Sequence, residues 1–469
     1  MSTGYKVDFL GCKISHTDAQ AIGDALASAG HVEDTTDAAV RVVNTCCITG
    51  EAEKKSRQRV RKMVGALPVD TGRVFVTGCG AANGAERYEQ IDERVTVLPG
   101  AAALAASAIV EAADALSGLG CRGPAPGVAP GHDPKTRRGT PRTRAFVKVQ
   151  DGCDFSCSYC IVPIVRGAPR SRSLDAVLDE VARRVDQGRR EIVLTGVNIG
   201  LYRDPELRIG LEKLLLAVAD VPGVARVRIS SIESNHVNRR LVAAMASHPK
   251  VCHHLHVPLQ SGDDAVLADM GRHYDTRRYA RAIAAAREAM PDLNLTTDVI
   301  VGYPSEDDAS FERTLAFART MGFTKVHAFP FSERPGTDAT QHRDPVAKPV
   351  KAERSHRLRE QADELALTHR ERLVGSRDEV VVETRTATGY GATAGVLLTD
   401  DHAASAGSST AALPAAPAER RTGYTRDYSP VVLEGADDLA DGDVVEVMLA
   451  ALDPATGVLT ARVTGAAAG

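Results

Sequence analysis

Short apolar runs alternate with amphipathic helical segments along most of this 469-residue chain, and this alternation constrains its fold more than any other feature. Near the N-terminus, YKVDFL, AVRVVN and RVFVT are typical of buried strands, and DAQAIGDALASAG and EAEKKSRQRVRKMVGA are typical of helices. Strands that alternate with helices pack as a parallel sheet covered on both faces. We therefore predict an α/β protein whose first domain, residues 1–117, is a doubly wound parallel sheet.

The same rhythm continues through residues 144–370. Six further strand candidates occur there, and they are AFVKVQ, EIVLTG, RVRISS, HLHVPL, LTTDVIV and KVHAFPF. Six βα units predict a full or partial α/β barrel, with functional residues at the carboxyl ends of its strands. Residues 371–469 are rich in strand-forming segments and predict a small β-barrel.

Composition changes at two places. Residues 118–143 are rich in Gly, Pro and Arg, which is typical of a linker. Residues 403–422 are of low complexity, and we interpret them as a loop within the C-terminal domain. Residues 371–469 contain 15 acidic and 7 basic residues, a charge of −8, so the overall charge of −4 leaves +4 for residues 1–370. This distribution is weak support for an anionic partner of the first 370 residues.

Composition also excludes several classes of protein. With 43% hydrophobic and 25% charged residues, the chain is neither largely disordered nor fibrous. No apolar run approaches about 18 residues, and MSTGYKVDFLGCK lacks the apolar core of a signal peptide, so we predict a cytoplasmic protein without a membrane span. Nine cysteines in a reducing compartment favour bound metal or catalytic thiols over disulfides.

The strongest chemical signal is DGCDFSCSYC, which places Cys153, Cys157 and Cys160 directly after the first predicted barrel strand. Soft thiolates suit iron–sulfur clusters, and three of them can hold three irons of a [4Fe–4S] cluster, which leaves one iron open for a small molecule. A structural zinc site normally has four ligands in separated pairs. The alternatives are a zinc knot or chance clustering, and the C-x3-C-x2-C spacing favours the iron–sulfur cluster.

A second set of cysteines is dispersed in sequence. Cys12, Cys46 and Cys79 each stand where a predicted parallel strand of the first domain ends. Because the carboxyl ends of neighbouring parallel strands share one edge of a sheet, we expect these three thiols to meet there. Three thiols again leave one iron of a cluster open. The alternative is that they are simply buried cysteines, which are common in cores.

These features resemble a known family. The loop DGCDFSCSYC is similar to the S-adenosylmethionine (SAM) loop of radical SAM enzymes, and with the three strand-end cysteines it resembles the methylthiotransferases, which carry two such clusters. The resemblance extends over nearly the whole chain, through GCKISHTDAQ, NTCCITGEAEKKSRQ, TGCGA, IVPIVRGAPRSR, LTGVNIGLY, SSIESNHV, HLHVPLQSGDDAVLADMGR, DVIVGYPSED, FPFSERPGTDA and GYTRDYSPVVLEG. Within the family, NTC followed by EAEKKSRQ, and LTGVNIG, are most similar to the branch that acts on threonylcarbamoyladenosine in tRNA.

The resemblance implies a fold and a mechanism. The centre would be a partial TIM-type radical SAM barrel, and GYTRDYSPVVLEG implies a TRAM-like β-barrel that binds tRNA. The cluster at Cys153, Cys157 and Cys160 would bind SAM, and an external reductant would drive its cleavage to a radical that removes hydrogen from C2 of the purine. The cluster at Cys12, Cys46 and Cys79 would hold the sulfur that a second SAM methylates. The source of that sulfur is not apparent from the sequence.

Other site residues follow from their positions at predicted strand ends, where polar groups of such barrels usually bind or catalyse. The predicted SAM contacts are Tyr159, Gly196, Asn198, Glu233, Gln260 and Asp298. Tyr159 is equally well explained as a residue that fills the barrel. The predicted tRNA contacts are Arg57, Arg61, Arg166, Arg170, Tyr424 and Arg426. For each basic residue, a solvated charge is the alternative.

Several positions depart from the family pattern. Cys47 follows Cys46 directly, and Ser15 stands where the family has asparagine. Cys121 and Cys252 are predicted not to bind metal. The acidic C-terminal domain would repel phosphate, and it would suit a basic protein or peptide substrate better than tRNA. Three alternatives to threonylcarbamoyladenosine in tRNA stay open. They are isopentenyladenosine in tRNA, a protein or peptide carbon as in the branch that modifies a ribosomal protein, and a non-catalytic iron–sulfur protein that binds RNA or senses redox state.

Overall fold

The computed structural model describes most of the chain, and the described residues are 2–68, 72–100, 102–118, 143–341, 346–386, 419–436 and 438–466. The predicted linker, 118–143, lies almost entirely outside them. The predicted low-complexity loop, 403–422, lies outside them up to residue 418, but its last residues, 419–422, belong to a strand of the C-terminal domain. None of the described helices is long and apolar enough to cross a membrane.

The N-terminal domain is the predicted doubly wound sheet. Its elements are β1 (Gly4–Phe9), α1 (Lys13–Ser28), β2 (Val32–Glu33), β3 (Val40–Thr45), α2 (Gly50–Gly65), β4 (Arg73–Gly78), α3 (Cys79–Ala82), α4 (Glu86–Glu89), β5 (Val95–Val97) and α5 (Ala102–Gly118). All five strands are parallel, in the order β2-β1-β3-β4-β5. The strand order reverses between β1 and β3, and ligands of such sheets bind at that point, beyond the carboxyl ends of the strands.

Both faces of this sheet are covered by helices, which explains why β3 is buried at every position. On one face Val42 packs with the α1 residue Ile22 and the α5 residue Ile109. On the other face Val43 packs with the α2 residue Val60. Alternation of side chains along the strand therefore divides the core into two layers.

The central domain contains six parallel strands that form a partial barrel. Its elements are β6 (Arg144–Asp151), α6 (Val162–Arg166), β7 (Arg170–Ser171), α7 (Leu174–Asp186), β8 (Glu191–Gly196), α8 (Leu211–Ala219), β9 (Arg226–Ile229), α9 (Arg239–Ser247), β10 (His254–His256), α10 (Asp264–Asp269), α11 (Thr276–Ala289), β11 (Asn294–Val301), α12 (Asp308–Met321), β12 (Lys325–Pro330) and α13 (Lys348–Glu371). Strands β6, β8 and β9 pair in parallel, as do β10, β11 and β12, and single bridges at Val227–Val251 and Ser231–His256 join the two groups. All six predicted barrel strands are confirmed.

Helix α1 packs against the central barrel. The ring of His16 meets the β6 residue Phe146 edge-on, with ring centroids 5.5 Å apart. One helical turn beyond the middle of α1, Asp24 forms an ion pair with the α7 residue Arg184 at 2.6 Å. The N-terminal domain therefore lies against the barrel through a helix that starts beside Cys12.

The C-terminal domain is a closed five-stranded barrel, which confirms the predicted small β-barrel. Its strands are β13 (Arg377–Thr386), β14 (Glu419–Tyr424), β15 (Pro430–Glu434), β16 (Val444–Asp453) and β17 (Val458–Ala466), in the closed order β13-β14-β15-β17-β16. It contacts the amino-terminal ends of the central strands through a buried charged group. Glu191 accepts hydrogen bonds from Arg226 and Arg228, and both guanidinium groups also donate to backbone carbonyls of the C-terminal barrel. Burial alone would raise the pKa of Glu191, but the two arginines hold it well below its usual range.

Candidate functional site

Cys12, Cys46 and Cys79 follow β1, β3 and β4 at the carboxyl edge of the N-terminal sheet, where the sequence places them. A Cβ on Gly11 would lie 2.9 Å from the Cys46 Sγ, and Gly11 has φ of +112°, so glycine is required for this approach. Burial, together with the neighbouring thiols of Cys12 and Cys79, raises the pKa of Cys46 to about 12. The fold therefore brings the three dispersed cysteines to one place, and buried thiols of this kind ionise readily only beside a metal or another positive charge.

Neighbouring residues fix the loops that carry these thiols. Gly78 has φ of +88°, and a Cβ there would lie 1.9 Å from the Asn44 Oδ1. The Asn44 amide in turn donates to the backbone carbonyl of Ser15, at 2.9 Å, and so joins β3 to α1. The Ser56 hydroxyl bonds both the N–H and the C=O of Cys46, at 3.1 and 3.2 Å. The sheet edge is thus held by backbone contacts that tolerate little change.

The second set of cysteines lies on the loop between β6 and α6. Cys153, Cys157 and Cys160 are each partly buried. The loop begins at Gly152, whose φ is +74° and whose added Cβ would lie 2.2 Å from the Ala168 carbonyl oxygen. At its centre, Ser158 donates its N–H to the Met270 carbonyl at 3.1 Å. The loop is therefore anchored at its start and middle. Its three thiols lie near one another, because burial together with the thiols of Cys157 and Cys153 raises the pKa of Cys160 to about 12.

Arg272 is a site residue that the sequence analysis missed. Its guanidinium donates to the Cys157 Sγ at 3.2 Å and to the Tyr159 hydroxyl at 3.3 Å, and it pairs with Glu233. Glu233, a predicted SAM contact, therefore has a protein partner, although burial still raises its pKa. Tyr159 also packs against an apolar cluster that includes Tyr303. The only signal for Arg272 was its place at the end of the segment ADMGR.

A buried contact joins the two segments that carry the thiols. Ile161, which follows Cys160 directly, packs in one buried cluster with Cys47 and Cys79, and Val165 packs against it. Cys47 is fully buried and donates its thiol to the Cys79 carbonyl at 3.3 Å. Cys47 is thus a close neighbour of the N-terminal set, and Cys252 is buried elsewhere, in the central domain.

Arg166, at the end of α6 in the central domain, bonds a thiol of the N-terminal set. Its Nε donates to the Cys79 Sγ at 3.1 Å, and its other nitrogens bond Asp18 and Asp151, each at 3.0 Å. Lys148 pairs with the same two carboxylates. The Arg166 side chain is only 10% exposed, which corrects the prediction that it meets RNA phosphates, because every donor group is directed inward.

A cavity of about 190 Å³ opens beside Cys79, and its polar lining residues are Asp18, Thr77, Cys79, Asp151, Arg166 and Arg170. Arg170 is exposed, and its guanidinium donates only to the backbone carbonyls of Arg166 and Ala168 in the part of the chain that is described. Arg170 therefore lines the cavity with an accessible charge, and its contact with RNA stays a prediction. A small reactant has room to enter beside Cys79.

Polar atoms without partners lie at the carboxyl ends of β8 and β9, near Cys153. The Asn198 backbone N–H donates to Gln150 at 2.8 Å, and its side-chain nitrogen lies 3.9 Å from the Cys153 Sγ. The Asn198 Oδ1 is buried without a hydrogen-bond partner among the described residues, and so are the hydroxyls of Ser230 and Ser234. Buried polar atoms rarely lack hydrogen-bond partners, so these three groups suit a polar ligand such as SAM.

Two other predicted SAM contacts are constrained by the backbone. Gly196 approaches Gln150 so closely that an added Cβ would lie 3.1 Å from the Gln150 side chain. Gln260 has φ of +64°, unusual for a residue with a side chain, and its N–H and C=O bond the β11 backbone on either side of Val299. Asp298 lies deeper in the barrel and pairs with His256 at 3.2 Å.

The remaining predicted RNA contacts divide between the surface and an interface. Arg61 is exposed on α2, and Arg57 on the same helix is partly paired with Glu53 at 3.0 Å. Tyr424 is buried and stacks on Tyr428, with ring centroids 4.8 Å apart. Arg426 bonds Glu379 and backbone carbonyls of the central domain. Tyr424 and Arg426 therefore hold the two barrels together, which corrects their predicted role in binding RNA. Cys121 lies outside the described residues.

A partial barrel whose first strand leads into three clustered thiols defines a radical SAM enzyme. Comparison with known families agrees, because residues 147–318 match the model of the radical SAM superfamily. Residues 5–100 match a second model, described as the uncharacterized protein family UPF0004. The two matches fall on the central and the N-terminal domains.

Several curated relatives match most of the chain. The chain is 34% identical to the threonylcarbamoyladenosine tRNA methylthiotransferase MtaB of Thermotoga maritima, over 81% of this chain and 86% of that protein. It is 32% identical to MtaB of Bacillus subtilis, over 94% and 92%. It is also 35% identical to the tRNA-2-methylthio-N(6)-dimethylallyladenosine synthase of Sorangium cellulosum, over 84% of each. The chain therefore belongs to the radical SAM methylthiotransferase family and is an enzyme that uses SAM and a [4Fe–4S] cluster.

A likeness to solved structures concerns the fold alone. The radical SAM methyltransferase TsrM from Kitasatospora setae, with cobalamin and a [4Fe–4S] cluster bound, has a TM-score of 0.52 at 14% identity, over 83% of this chain and 82% of that one. At this identity the match supports the arrangement of the sheet and barrel and carries no statement about the reaction.

Proposed function

We propose that this enzyme adds a methylthio group to C2 of N6-threonylcarbamoyladenosine next to the anticodon of a tRNA, using SAM and two [4Fe–4S] clusters. The observation that carries the proposal is the contact between the two thiol-bearing segments, where Cys79 packs with Ile161, the residue that follows Cys160. Replacing an unreactive C–H bond with a sulfur substituent needs both a radical and a sulfur donor at one carbon. Two sites whose segments are in contact can serve the same bound substrate.

Each set of thiols has its own role in this proposal. Cys153, Cys157 and Cys160 hold the cluster that binds SAM, and Cys12, Cys46 and Cys79 hold the cluster that carries sulfur. Loaded with these groups and supplied with electrons by a reducing donor, the enzyme gains radical and sulfur-transfer chemistry that its side chains lack. The donor set supports both clusters, because each has three soft thiols and leaves one iron free.

Other residues of the chain position these groups. Asn198 and Ser234 offer unpartnered polar atoms to SAM beside Cys153. Arg272 holds the Cys157 thiol and Glu233 in place, and Arg166 does the same for Cys79. An arginine that donates to a ligand sulfur also tunes the cluster's reduction potential. Arg166 and Arg272 are therefore proposed as positioning residues.

A tRNA substrate is supported by the relatives, all three of which are named for tRNA modification. The basic face of α2 offers phosphate contacts, because Lys54, Arg61 and Lys62 are exposed and make no ion pair within the described residues. Phosphate contacts of this kind position RNA without reading its sequence. We accordingly place the reaction in the cytoplasm, on RNA bound across the N-terminal and central domains.

Dimethylallyladenosine in tRNA is the second candidate, favoured by the 35% identity to the synthase from Sorangium cellulosum. Mass spectrometry of tRNA nucleosides separates the two. A host that lacks both methylthio nucleosides is compared with and without this gene. Appearance of methylthio-threonylcarbamoyladenosine supports the proposal. Methylthio-dimethylallyladenosine alone, from protein with both clusters loaded, contradicts it and selects the second candidate.

A further inference from the structure

A small cavity inside the central barrel is lined mainly by basic side chains. Its volume is about 30 Å³, and the lining includes Phe146, Thr296 and Tyr428. We call its basic members the cationic chamber, and they are Lys13, Arg228, His254, His256, Lys325 and His327. Five of the six come from strands β9, β10 and β12, and Lys13 comes from the start of α1.

The positive charge of the chamber comes from its two lysines and its arginine, because burial lowers the pKa of His254 and lowers that of His327 to about 4. Arg228 is paired with Glu191, and His256 with Asp298. Lys13 and Lys325 make no hydrogen bond or ion pair with any group that the structure describes. Arg144 adds a further cation, and Asp363 and Arg370 of α13 offset each other beside Lys325. The two groups nearest the lysines that could accept are already engaged, since the Tyr428 hydroxyl accepts from Arg144 and Asp298 pairs with His256.

Burial lowers the pKa of Lys325, so holding its ammonium group charged inside the barrel costs free energy. An anion that enters the chamber removes this cost, because a buried ammonium is stabilised by an opposite charge nearby. The missing partner of the chamber is therefore an anion.

A bound cation fits less well. Ligand atoms of His256, Asp298 and His327 lie within 4.8 Å of one another, a spacing that suits a divalent metal. The amines of Lys13 and Lys325 line the same cavity, however, and they repel a cation. The single carboxylate of the group is already paired with His256.

Two segments of the chain connect the chamber with the proposed cluster sites. Lys13 follows Cys12 directly in the chain. On β11, Asp298 precedes Ile300 by two residues on the same strand face, and Ile300 packs against the apolar cluster that also contacts Tyr159. The side chains of His256 and Asp298 retain 13% and 27% exposure, so the chamber is open to solvent rather than sealed.

We infer that the cationic chamber binds the carboxylate of the threonylcarbamoyl substituent and so determines which modified adenosine the enzyme accepts. This inference rests on the proposed function. The dimethylallyl group has no charge and would leave Lys13 and Lys325 without a partner, whereas the threonyl carboxylate supplies one. A site built around a polar group rejects an analogue that lacks it far more strongly than an apolar pocket rejects an extra methylene.

The test measures binding of anticodon stem-loop RNAs to full-length protein with both clusters loaded. Three RNAs are compared by fluorescence anisotropy, carrying N6-threonylcarbamoyladenosine, its neutral methyl ester, or N6-dimethylallyladenosine. We expect the acid to bind about 10- to 100-fold more tightly than the ester, as for a charge-assisted hydrogen bond. Lys325→Met should reduce this ratio to below about 3-fold, because it weakens binding of the acid much more than binding of the ester.

Three further variants keep the test decisive. Lys325→Arg should restore most of the ratio, because it restores the charge. Lys13→Met tests the chamber from the opposite wall if Lys325→Met does not fold. Lys213→Met is the matched control, since Lys213 is an exposed lysine on α8, outside the chamber, and the wild-type ratio should be kept.

An acid-to-ester ratio that is near 1 in the wild type, or unchanged in both Lys325→Met and Lys13→Met, overturns the inference. Product analysis with the same RNAs tests the proposed function separately. If wild-type protein methylthiolates only the dimethylallyl RNA, the proposed function fails, and the binding ratios still decide whether the chamber recognises a carboxylate.

Discussion

Replacing Arg166 with glutamine removes one positive charge beside the proposed sulfur-carrying cluster. In the wild type, Arg166 and Lys148 balance Asp18 and Asp151, and the Arg166 Nε lies 3.1 Å from the Cys79 Sγ. The Arg166→Gln variant leaves this group with a net charge of −1. Reduction adds an electron to the cluster, so the loss of a nearby positive charge should lower its reduction potential.

The geometry sets the size of the effect. A unit charge about 4 Å away is worth about 4 kcal/mol at an effective dielectric constant of about 20, which is appropriate for a site that is partly solvated. The added electron is shared over the cluster rather than held at Cys79, so we take about half of this, about 2 kcal/mol. For one electron, that corresponds to a decrease on the order of 90 mV.

A redox titration followed by electron paramagnetic resonance measures this shift. Cys153, Cys157 and Cys160 are first replaced by alanine, so that only the N-terminal site is loaded. Arg170→Gln is the control, because Arg170 is an exposed arginine four residues further along whose guanidinium bonds only backbone carbonyls among the described residues. We expect its shift to stay below about 20 mV. A potential that stays constant or rises in Arg166→Gln would refute the reasoning.

Three other predictions follow from the site and its supports. Cys157→Ala should abolish 5′-deoxyadenosine formation, whereas Cys79→Ala should keep it and lose the methylthio product; mass spectrometry measures both products. A methylthio product from Cys79→Ala would contradict the assignment of this thiol as a cluster ligand. Gly78→Ala should lower the free energy of unfolding by about 2–3 kcal/mol in urea denaturation, because φ is +88° and the new Cβ meets Asn44. Gly65→Ala is the control, since an added Cβ there meets nothing within 4 Å and should not destabilise the protein. Equal stability of the two variants would contradict the strain argument. Burial alone would raise the pKa of Asp427, but His369 and nearby hydrogen bonds lower it from 3.8 to about 2. This lowered pKa contributes about 2 kcal/mol to the free energy of unfolding above about pH 4, and the contribution is lost as the pH falls toward 2. Urea denaturation should therefore show that His369→Gln destabilises the protein at pH 6 and hardly changes its stability at pH 2.

Strands were the part of the fold most readily predicted from sequence. Strands β8 and β11 are largely buried runs rich in apolar residues, so the run itself marks the strand. The short strands β2 and β5 were missed because two or three residues carry no periodicity. The grouping of Cys12, Cys46 and Cys79 followed from strand order, because neighbouring parallel strands end at one edge of the sheet. Their roles as cluster ligands stay a prediction.

Charged residues were the part that sequence could not place. Arg166 and Arg61 each lie on the first helix after a proposed cluster cysteine. Arg166 nevertheless bonds a thiol in the interior, whereas Arg61 is exposed. Arg272 and Lys13 acquire their roles only when elements distant in sequence pack together. Burial of a charge depends on the tertiary partner that compensates it, and no local pattern in the chain records that partner.

Helix α1 serves three regions at once. Its start adjoins Cys12, its first residue lines the cationic chamber, and its middle and end pair with Arg166 and Arg184 of the central domain. The N-terminal domain is for this reason not an interchangeable module. A chimera that joins this domain to the barrel of a relative would change the N-terminal set of thiols, the cationic chamber and the contact between the two domains together. Diversification of substrate choice in such an enzyme therefore requires matched changes on both sides of α1.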